Sequence, residues 1–396
     1  MTSVLKTENL CVGYRKKEVV CGINHEIFKG KFVCILGPNG SGKTTILKTL
    51  AKIIDPLNGK IYINGILLER LSSKEIAKNL SVVLTKMPSP GLLSGFEFVA
   101  LGRYPYTDIL GRLTEEDKKK IKETLKLVNA EELSGRYFGE LSDGEKQKLI
   151  IARAIVQEPK IIILDEPTIH LDPKNKIEVL SILHRVSKKK SITVLVSLHD
   201  IDMALRISDF IILVKDGRII DFGPPEKVIN QERIAQLYDL KDVQFNSKLY
   251  TFELLKNNRR KDIFLIAGAG TGTHLYRALL RHGIGIVTGI IHENDIDFHV
   301  ATSMKLEVIS ERAFQKIDEN TLKKAFSFID HAKAVIDSGF PVGTFNRGNI
   351  KLIHYAIKKE KPVYTFRKKE EIYDLYKDCS KNVIYLNDVY SFLERW

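Results

Sequence analysis

The stretch KFVCILGPNGSGKTTILKTLAKII (residues 31–54) joins an apolar run to a helical pattern through a glycine-rich loop. KFVCIL is typical of a buried strand, and TTILKTLAKII carries apolar residues at helical spacing. Gly37, Gly40 and Gly42 allow successive backbone N–H groups to point into one anion-sized hollow, where the N-terminus of the following helix also favours negative charge. The loop GPNGSGKTT (37–45) therefore predicts an α/β P-loop fold that binds the phosphates of a nucleotide.

The side chains that follow the glycines supply a positive charge and a metal ligand. Lys43 is expected to reach the β- and γ-phosphates of ATP, and the hydroxyl of Thr44 is expected to ligate Mg²⁺. The predicted ATP-binding residues of the loop are Gly37, Pro38, Asn39, Gly40, Ser41, Gly42, Lys43, Thr44 and Thr45.

A second apolar run, KIIILDEP (160–167), ends in two acids. A strand buried on both faces of a parallel sheet has this composition, and its carboxyl end delivers the acids to the phosphate edge of the sheet. Asp165 is expected to hold Mg²⁺ through water, and Glu166 is expected to polarise the attacking water. We therefore predict Thr44 and Asp165 as metal-binding residues, and Lys43 and Glu166 as catalytic residues.

The segment LSDGEKQKLIIARAIVQEP (141–159) precedes that strand, and Ser142 is a good N-cap for its helix. Together with the P-loop and the acid pair, this segment resembles the nucleotide-binding subunit of an ABC transporter. The resemblance implies that Ser142 and Gly144 bind the γ-phosphate of ATP held by the opposite subunit of a dimer. Asp143 and Glu145 replace the more usual glycine and glutamine, and the second change is expected to weaken contacts across the dimer.

Other landmarks of the family follow in order. Tyr14 matches the aromatic residue that stacks on adenine, and Leu171–Asp172 matches the loop that crosses the dimer interface. His199 matches the switch histidine that contacts the γ-phosphate, so it is a third predicted catalytic residue. Thr85 stands where the family has a Mg²⁺-binding glutamine, and Lys86 follows it. The threonine side chain is shorter than that of glutamine, and a lysine ammonium cannot bind Mg²⁺ at all. The sequence therefore leaves open how ATP binding is transmitted to a membrane partner.

Residues 98–128, FVALGRYPYTDILGRLTEEDKKKIKETLKLV, are similar to the subgroup that serves iron-siderophore, haem and cobalamin importers. In that subgroup the segment leads into a helical subdomain that docks the permease, so Tyr104 and Tyr106 are expected either to contact that partner or to pack internally. The resemblance covers about residues 3–240. It implies an ATP-bound homodimer on the cytoplasmic face of the membrane, bound to integral membrane permease subunits and served indirectly by a substrate-binding protein.

The rival interpretation is a non-transport ABC ATPase that acts on DNA or ribosomes. Residues 141–159 correspond to the signature motif of the family. Chromosome and repair ATPases separate the P-loop from this signature by a long coiled coil, but only about a hundred residues intervene here. Translation factors of the family carry two ATPase halves, whereas this chain has one P-loop. The net charge of +13 fits an anionic partner or a lysine-rich surface, and no long run interleaves basic with aromatic residues. We therefore predict transport and no nucleic-acid partner.

At 396 residues the chain is long enough for two domains. Its apolar runs are far shorter than the ~20 residues of a membrane-spanning helix, and its start has no apolar stretch of signal-peptide length, so export is not expected. The four cysteines show no CxxC pairing and are expected to be free thiols in a reducing cytosol, rather than disulfides or zinc ligands.

The second half alternates apolar runs with helical ones: DIFLIA, IGIVTGII, LEVIS, AKAVIDSG, KPVYTF and NVIYL. This alternation predicts a small doubly wound, Rossmann-like α/β domain. We place an ABC ATPase domain at 1–244, a polar linker at 245–261 and the Rossmann-like domain, with a regulatory or ligand-binding role, at 262–396.

GAGTGTHLYRALL (268–280) opens this second domain, but Thr273 stands where a P-loop has lysine and a dinucleotide fingerprint has its last glycine. A possible ligand loop comprises Gly268, Gly270, Gly272 and Thr273. Together with residues 292–297 and 338–349 it is expected to form a crevice at one sheet edge. The expected ligand is an anionic or nucleotide-like molecule that is sensed rather than transformed. The alternative is a second enzyme that acts on the imported cofactor.

Overall fold

The computed structural model of the chain describes residues 2–85, 90–255 and 260–396, apart from the side chains of Asp378 and Cys379. Lys86, noted above for its place after Thr85, lies outside these residues. The chain divides into two units, Met1–Tyr238 and Asp239–Trp396.

The first unit contains a six-stranded sheet and a smaller antiparallel sheet. Its strands are β1 (Ser3–Tyr14), β2 (Lys17–Ile23), β3 (Glu26–Phe28), β4 (Phe32–Leu36), β5 (Asn58–Ile63), β6 (Ile66–Leu67), β7 (Leu80–Val83), β8 (Ile161–Asp165), β9 (Thr193–Ser197), β10 (Phe210–Lys215) and β11 (Arg218–Gly223). The larger sheet has the order β11-β10-β4-β9-β8-β7, with β10 and β11 antiparallel and the other neighbours parallel. Strands β4, β8 and β9 are buried over their whole length, which explains their largely apolar sequences.

The helices of the first unit are α1 (Lys43–Leu50), α2 (Ser73–Asn79), α3 (Gly95–Ala100), α4 (Glu115–Leu127), α5 (Asp143–Val156), α6 (Pro173–Lys190), α7 (Ile201–Ile207), α8 (Pro225–Val228) and α9 (Gln231–Tyr238). Helix α5 begins with a capping box between Ser142 and Glu145, which confirms Ser142 as its N-cap. Within the described ranges of the whole chain, no helix is long and apolar enough to cross a membrane.

The second unit is a doubly wound parallel sheet. Its strands are β12 (Val243–Asn246), β13 (Thr251–Leu254), β14 (Ile263–Ile266), β15 (Ile286–His292), β16 (Glu307–Glu311), β17 (Ala334–Asp337), β18 (Val363–Thr365) and β19 (Val383–Tyr385). Its helices are α10 (Thr273–Arg281), α11 (Ile296–Ser303), α12 (Glu319–His331), α13 (Ile350–Lys358), α14 (Lys369–Tyr376) and α15 (Val389–Leu393). The sheet order is β16-β15-β14-β17-β18-β19, so all six predicted strands are confirmed.

Alternate residues of β14 divide the second unit's core between the two faces of the sheet. Phe264 and Ile266 pack in a cluster with residues of α12, α13 and α14, while Ile263 and Leu265 pack in a cluster with residues of α10, α11 and α15. Because side chains of a strand alternate between faces, this division shows that helices cover both sides of the sheet.

The linker predicted at 245–261 is wrong over its first half, because the chain there forms the antiparallel hairpin β12–β13. Phe245 is fully buried, and the side-chain amide of Asn246 donates to the carbonyl of His299 at 3.1 Å. The buried carboxylate of Glu253 pairs with Arg277 of α10. These contacts fix the hairpin to the second unit, which therefore begins at Asp239 rather than at residue 262.

The expectation of free thiols is wrong for two cysteines. Cys11 of β1 and Cys21 of β2 lie side by side, with Cα atoms 4.0 Å apart, and are joined as a disulfide. The two cysteines are ten residues apart on a hairpin, so the absence of a CxxC pattern gave no information about this pair. Cys34 is a buried free thiol, as expected.

Candidate active site

The glycine-rich loop of the first unit connects β4 to α1 and leaves several donors unused. Gly40 and Gly42 have φ angles of 78° and 103°, a region that favours glycine. Their backbone N–H groups donate to no residue in the described part of the chain. The hydroxyl of Ser41 is buried and also lacks a hydrogen-bond partner among the described residues. A buried hydroxyl without a partner is costly, so Ser41 and these neighbouring N–H groups fit a phosphate that would accept from them.

Lys43, the first residue of α1, closes the same loop. Only 4% of its surface is exposed, and its ammonium donates to the carbonyls of Gly37 at 2.8 Å and Pro38 at 3.0 Å. Burial lowers the pKa of Lys43, and the nearby charges of Glu166 and Asp165 oppose that shift. The lysine is therefore a desolvated cation held at the loop, which suits it to interact strongly with phosphate oxygens.

The carboxylate of Asp165, at the end of β8, accepts hydrogen bonds from hydroxyl groups of three other segments. Thr44 donates to its two oxygens at 3.0 and 2.9 Å, and Ser197 of β9 donates at 2.8 Å. Thr85, at the position of the family's glutamine, donates to the same carboxylate at 3.0 Å. Mg²⁺ takes oxygen ligands and usually keeps several waters, so the Thr44 hydroxyl beside the Asp165 carboxylate fits that ion.

Glu166 follows Asp165 and is turned away from the strand by a left-handed backbone conformation, with φ of 51°. Its N–H donates to the Ser197 hydroxyl at 2.9 Å, which anchors the turn. Its carboxylate lies 2.6 Å from Nε2 of His199. The side chain of Glu166 is 16% exposed and that of His199 is 44% exposed, so water can reach the pair. The structure thus brings together the predicted residues Lys43, Asp165, Glu166 and His199.

Ser197 is the residue that the sequence interpretation missed at this site. Its hydroxyl donates to Asp165 and accepts from the N–H of Glu166, so it fixes both acids. The signal was present in the sequence, because Ser197 ends the strand that leads to His199 and is parallel to β8. The carboxyl ends of neighbouring parallel strands meet at one edge of the sheet. A polar residue that ends an apolar strand beside β8 is therefore expected to lie close to Asp165.

The signature residues lie at the start of α5, with Ser142 as its N-cap and Gly144 in its first turn. The hydroxyl of Ser142 donates to the carboxylate of Glu145 at 2.8 Å, while Arg136 contacts the other oxygen at 2.9 Å. Hydrogen bonds from the Ser142 backbone and hydroxyl lower the pKa of Glu145. A side chain at Gly144 would lie 2.7 Å from atoms of Asn175, so only glycine fits there without a shift. Within the described chain, no hydrogen bond joins Ser142 or Gly144 to the P-loop, so the structure does not bring these predicted groups together.

The remaining predicted positions lie at the surface. Tyr14 ends β1 and is 44% exposed, and Asp172 caps α6 by accepting from the N–H of Asn175. Tyr104 is largely exposed, whereas Tyr106 donates to the carbonyl of Gln157 at 3.1 Å and stacks on a guanidinium of the same unit. Of the two tyrosines expected to contact a partner or to pack, Tyr106 packs and Tyr104 is accessible.

The predicted ligand loop of the second unit connects β14 to α10, and three of its donors are already bound to carboxylates. The N–H of Ala269 donates to Asp295 at 2.6 Å, and the N–H of Gly272 donates to Asp297 at 2.9 Å. The hydroxyl of Thr273 also donates to Asp297, at 2.8 Å. A phosphate at this loop would have to displace two carboxylates, so the expectation of an anionic ligand is not supported.

The ABC transporter family matches residues 20–169 of the chain, and the MJ0874 family matches residues 286–393. The chain is 49% identical over 288 residues to the uncharacterized ABC transporter ATP-binding protein MJ0873 of Methanocaldococcus jannaschii, across 72% of this chain and 99% of that protein. It is 34% identical over 261 residues to the iron(3+)-hydroxamate import ATP-binding protein FhuC of Bacillus subtilis, across 64% and 97%.

Among solved structures, the chain is similar to the dimeric post-hydrolysis state of the ATP-binding cassette MJ0796 bound to ADP and Pi. The TM-score is 0.50 at 30% identity, and the match covers 56% of this chain and 98% of that one.

Proposed function

We propose that this chain, which belongs to the ATP-binding proteins of ABC transporters, hydrolyses ATP to energise import of an iron complex, haem or a cobalamin-type solute. The observation that carries the proposal is the convergence of Lys43, Asp165 and the Glu166–His199 pair at one sheet edge. The iron complex is favoured among the solutes because the relative FhuC is named for iron(3+)-hydroxamate import.

Each side chain has a distinct role in this proposal. Lys43 neutralises charge on the β- and γ-phosphates, while Thr44 and Asp165 hold Mg²⁺, which supplies further charge neutralisation when bound. Glu166 accepts a proton from the attacking water, because its carboxylate is partly exposed at the site. The Nε2–H of His199 donates to that carboxylate at 2.6 Å and orients it.

Two chains complete each site in this proposal. Ser142 and Gly144 bind the γ-phosphate held by the other copy, since neither bonds to the P-loop of its own described chain. The dimeric cassette bound to ADP and Pi supports that arrangement. The dimer docks on integral membrane permease subunits at the cytoplasmic face of the membrane, with the exposed Tyr104 in the docking segment, and a substrate-binding protein serves the complex indirectly.

The import function is tested by deleting the gene in its host and measuring uptake of radiolabelled ferric hydroxamate, haem and cobalamin separately. Deletion should abolish uptake of one of these solutes. The wild-type chain and the surface control Glu232→Gln should restore it, whereas Glu166→Gln should not. The same Glu166→Gln protein should bind ATP, accumulate as a dimer and lose turnover by at least ~10²-fold in vitro.

Unchanged uptake of all three solutes in the deletion strain would contradict the import proposal, even if the purified chain hydrolyses ATP. Restoration of uptake by Glu166→Gln would instead contradict its role as the base.

The shared site is tested by mixing two inactive proteins, Lys43→Ala and Ser142→Arg. In a mixed dimer, one site combines the intact P-loop of one chain with the intact signature of the other, so activity should return. Each variant mixed with wild-type chain serves as the control for subunit exchange. No recovery under conditions where exchange occurs would contradict the composite site.

A further inference from the structure

The second unit contains a cavity of about 520 Å³ at the carboxyl edge of its sheet. Its walls come from the ends of four strands and the loops after them: Ala269 after β14, His292 and residues 294–296 at the end of β15 and beyond it, Phe314 after β16 and residues 341–346 after β17. Strands β14 and β17 are neighbours at which the order of the sheet reverses direction. Crevices at such a switch point are the usual ligand sites of open α/β sheets.

The loops around this cavity are held in place by hydrogen bonds. The hydroxyl groups of Thr271 and Ser338 lie 2.6 Å apart and join the loop after β14 to the loop after β17. Asn346 holds the second loop closed, because it accepts from the N–H of Gly343 at 2.7 Å and donates to the carbonyl of Pro341 at 2.8 Å. The cavity is therefore bounded by fixed walls, which is what a preformed site needs.

A buried ion pair stabilises the loop after β17, which forms one wall of the cavity. Asp337, which ends β17, pairs with Arg367 at 2.6 Å, and neither side chain is more than 2% exposed. The guanidinium of Arg367 also donates to the carbonyl of Phe340 at 2.7 Å, one residue before the lining segment. The ion pair thus fixes the start of the loop that lines the cavity.

The charges around the cavity exclude an anion. None of its lining residues, all of them in the described part of the chain, is a lysine or an arginine, and Asp295 is an acid at its wall. Two of the loop N–H groups that could have held a phosphate, those of Ala269 and Gly272, donate to Asp295 and Asp297. A phosphate there would face the carboxylate of Asp295 without a lysine or arginine as counter-charge, which is unfavourable at any dielectric constant.

The uncharged lining has two parts. Ile296, Phe314 and Phe345 line the cavity and are nevertheless exposed to solvent, the two phenylalanines by 70% and 46%. Asn294 and Thr344 also line it, and their side chains form no hydrogen bond with any described residue. Exposed aromatic rings beside unused polar groups are typical of a site that receives a flat organic molecule.

We propose that this crevice binds a small neutral or cationic organic molecule with a flat apolar face, packed against Phe314 and Phe345, with its donor groups directed to Asp295. This ligand class replaces the anionic or nucleotide-like one that the glycine pattern predicted. The inference does not depend on what the first unit transports.

The test compares two probes that share an indole ring and differ in charge: tryptamine, a cation, and indole-3-acetate, an anion. Binding to the full chain is measured by equilibrium dialysis, with saturating MgADP present to fill the adenine site of the first unit. Tryptamine should bind saturably with a Kd of about 1 mM, as expected for a small fragment. Indole-3-acetate should bind at least about tenfold more weakly because of the acid.

Two pairs of variants locate the binding. Asp295→Asn keeps an oxygen for the helix cap but removes the charge, and should weaken tryptamine binding about tenfold, whereas the exposed neighbour Glu293→Gln should not. Phe345→Ala should weaken both probes, whereas the exposed Tyr373→Ala, outside the cavity, should weaken neither. Stronger binding of indole-3-acetate, the absence of saturable binding by either probe, or equal effects of the paired variants would each overturn the proposal.

Discussion

The two glycine-rich loops of this chain have the same place in their sheets but opposite electrostatic surroundings. Each connects a buried parallel strand, β4 or β14, to a helix. In the first loop Lys43 is buried and the Ser41 hydroxyl has no partner among the described residues. In the second, Asp295 and Asp297 accept the backbone N–H groups of Ala269 and Gly272. The first loop therefore provides a positive hollow, while the second is filled by the protein's own carboxylates.

The difference arises from the partners of the acids at the carboxyl edge of each sheet. In the first unit, Asp165 of β8 binds the hydroxyls of Thr44, Thr85 and Ser197, so the N–H groups of the loop stay available. In the second unit, Asp295 and Asp297, which follow β15, accept hydrogen bonds from the N–H groups of the glycine loop. Glycine spacing thus indicates where backbone donors converge, and the neighbouring loop decides whether a ligand or a side chain accepts from them.

The largest expected difference is in ATP hydrolysis. Lys43→Ala should lower the rate by at least ~10²-fold, because it removes a desolvated cation from the phosphates. Thr273→Ala, at the corresponding place in the second loop, should leave the rate unchanged, since its hydroxyl only serves Asp297. Phosphate release by the purified variants measures both. Comparable losses in the two variants would contradict the functional distinction between the loops.

A second difference is in stabilisation by nucleotide. At about a hundredfold excess over its Kd, MgATP should stabilise the first unit of a Glu166→Gln chain by about 2.7 kcal/mol and leave the second unit unaffected. Trp396, the chain's one tryptophan, packs on Phe392 in the second unit and reports on that unit alone. Calorimetry should show a transition that shifts with MgATP while the tryptophan-detected transition does not. A shift of the latter would indicate nucleotide at the second loop or coupling between the units.

The third prediction concerns the acid that fills the second loop. Asp297→Ala should destabilise the second unit by about 1–3 kcal/mol, because it leaves the Gly272 N–H and the Thr273 hydroxyl without an acceptor. Urea unfolding followed by Trp396 fluorescence measures the change. The exposed neighbour Glu293→Ala should change stability by less than about 0.5 kcal/mol. Equal effects of the two substitutions would show that Asp297 does not support the loop.

Most of the fold could be predicted because its strands are short apolar runs between turn residues. The six parallel strands of the second unit and strands β4 and β8 all have this form. The hairpin β12–β13 does not: half of the residues in VQFN and TFEL are polar, and the pair is stabilised by the burial of Phe245 and the Glu253–Arg277 ion pair. Those contacts depend on residues distant in sequence, so local pattern did not reveal them.

The candidate site shows the same limit. The P-loop and the acid pair follow from local sequence, and the expected meeting of residues 268–272, 292–297 and 338–349 at one edge of the second sheet is confirmed by their hydrogen bonds. The sign of the charge in that crevice was not predictable. It depends on which atoms of Asp295 and Asp297 reach the glycine loop, about 25 residues away, and spacing alone does not determine that.

The smallest expected effect is a pH dependence caused by Asp297. Burial raises the pKa of this acid above its ordinary value of 3.8, against the hydrogen bonds from Gly272 and Thr273. The folded unit then binds the proton more tightly than the unfolded chain, so the free energy of unfolding falls as pH rises from the unfolded pKa to the folded one. Asp297→Asn keeps an acceptor for Gly272 but cannot titrate. The tryptophan-detected stability of the wild type, relative to this variant, should therefore be lower at about pH 7 than at about pH 4. Parallel profiles for the two proteins would mean that Asp297 titrates alike in the folded and unfolded chain, and that its carboxylate carries no penalty for filling the loop.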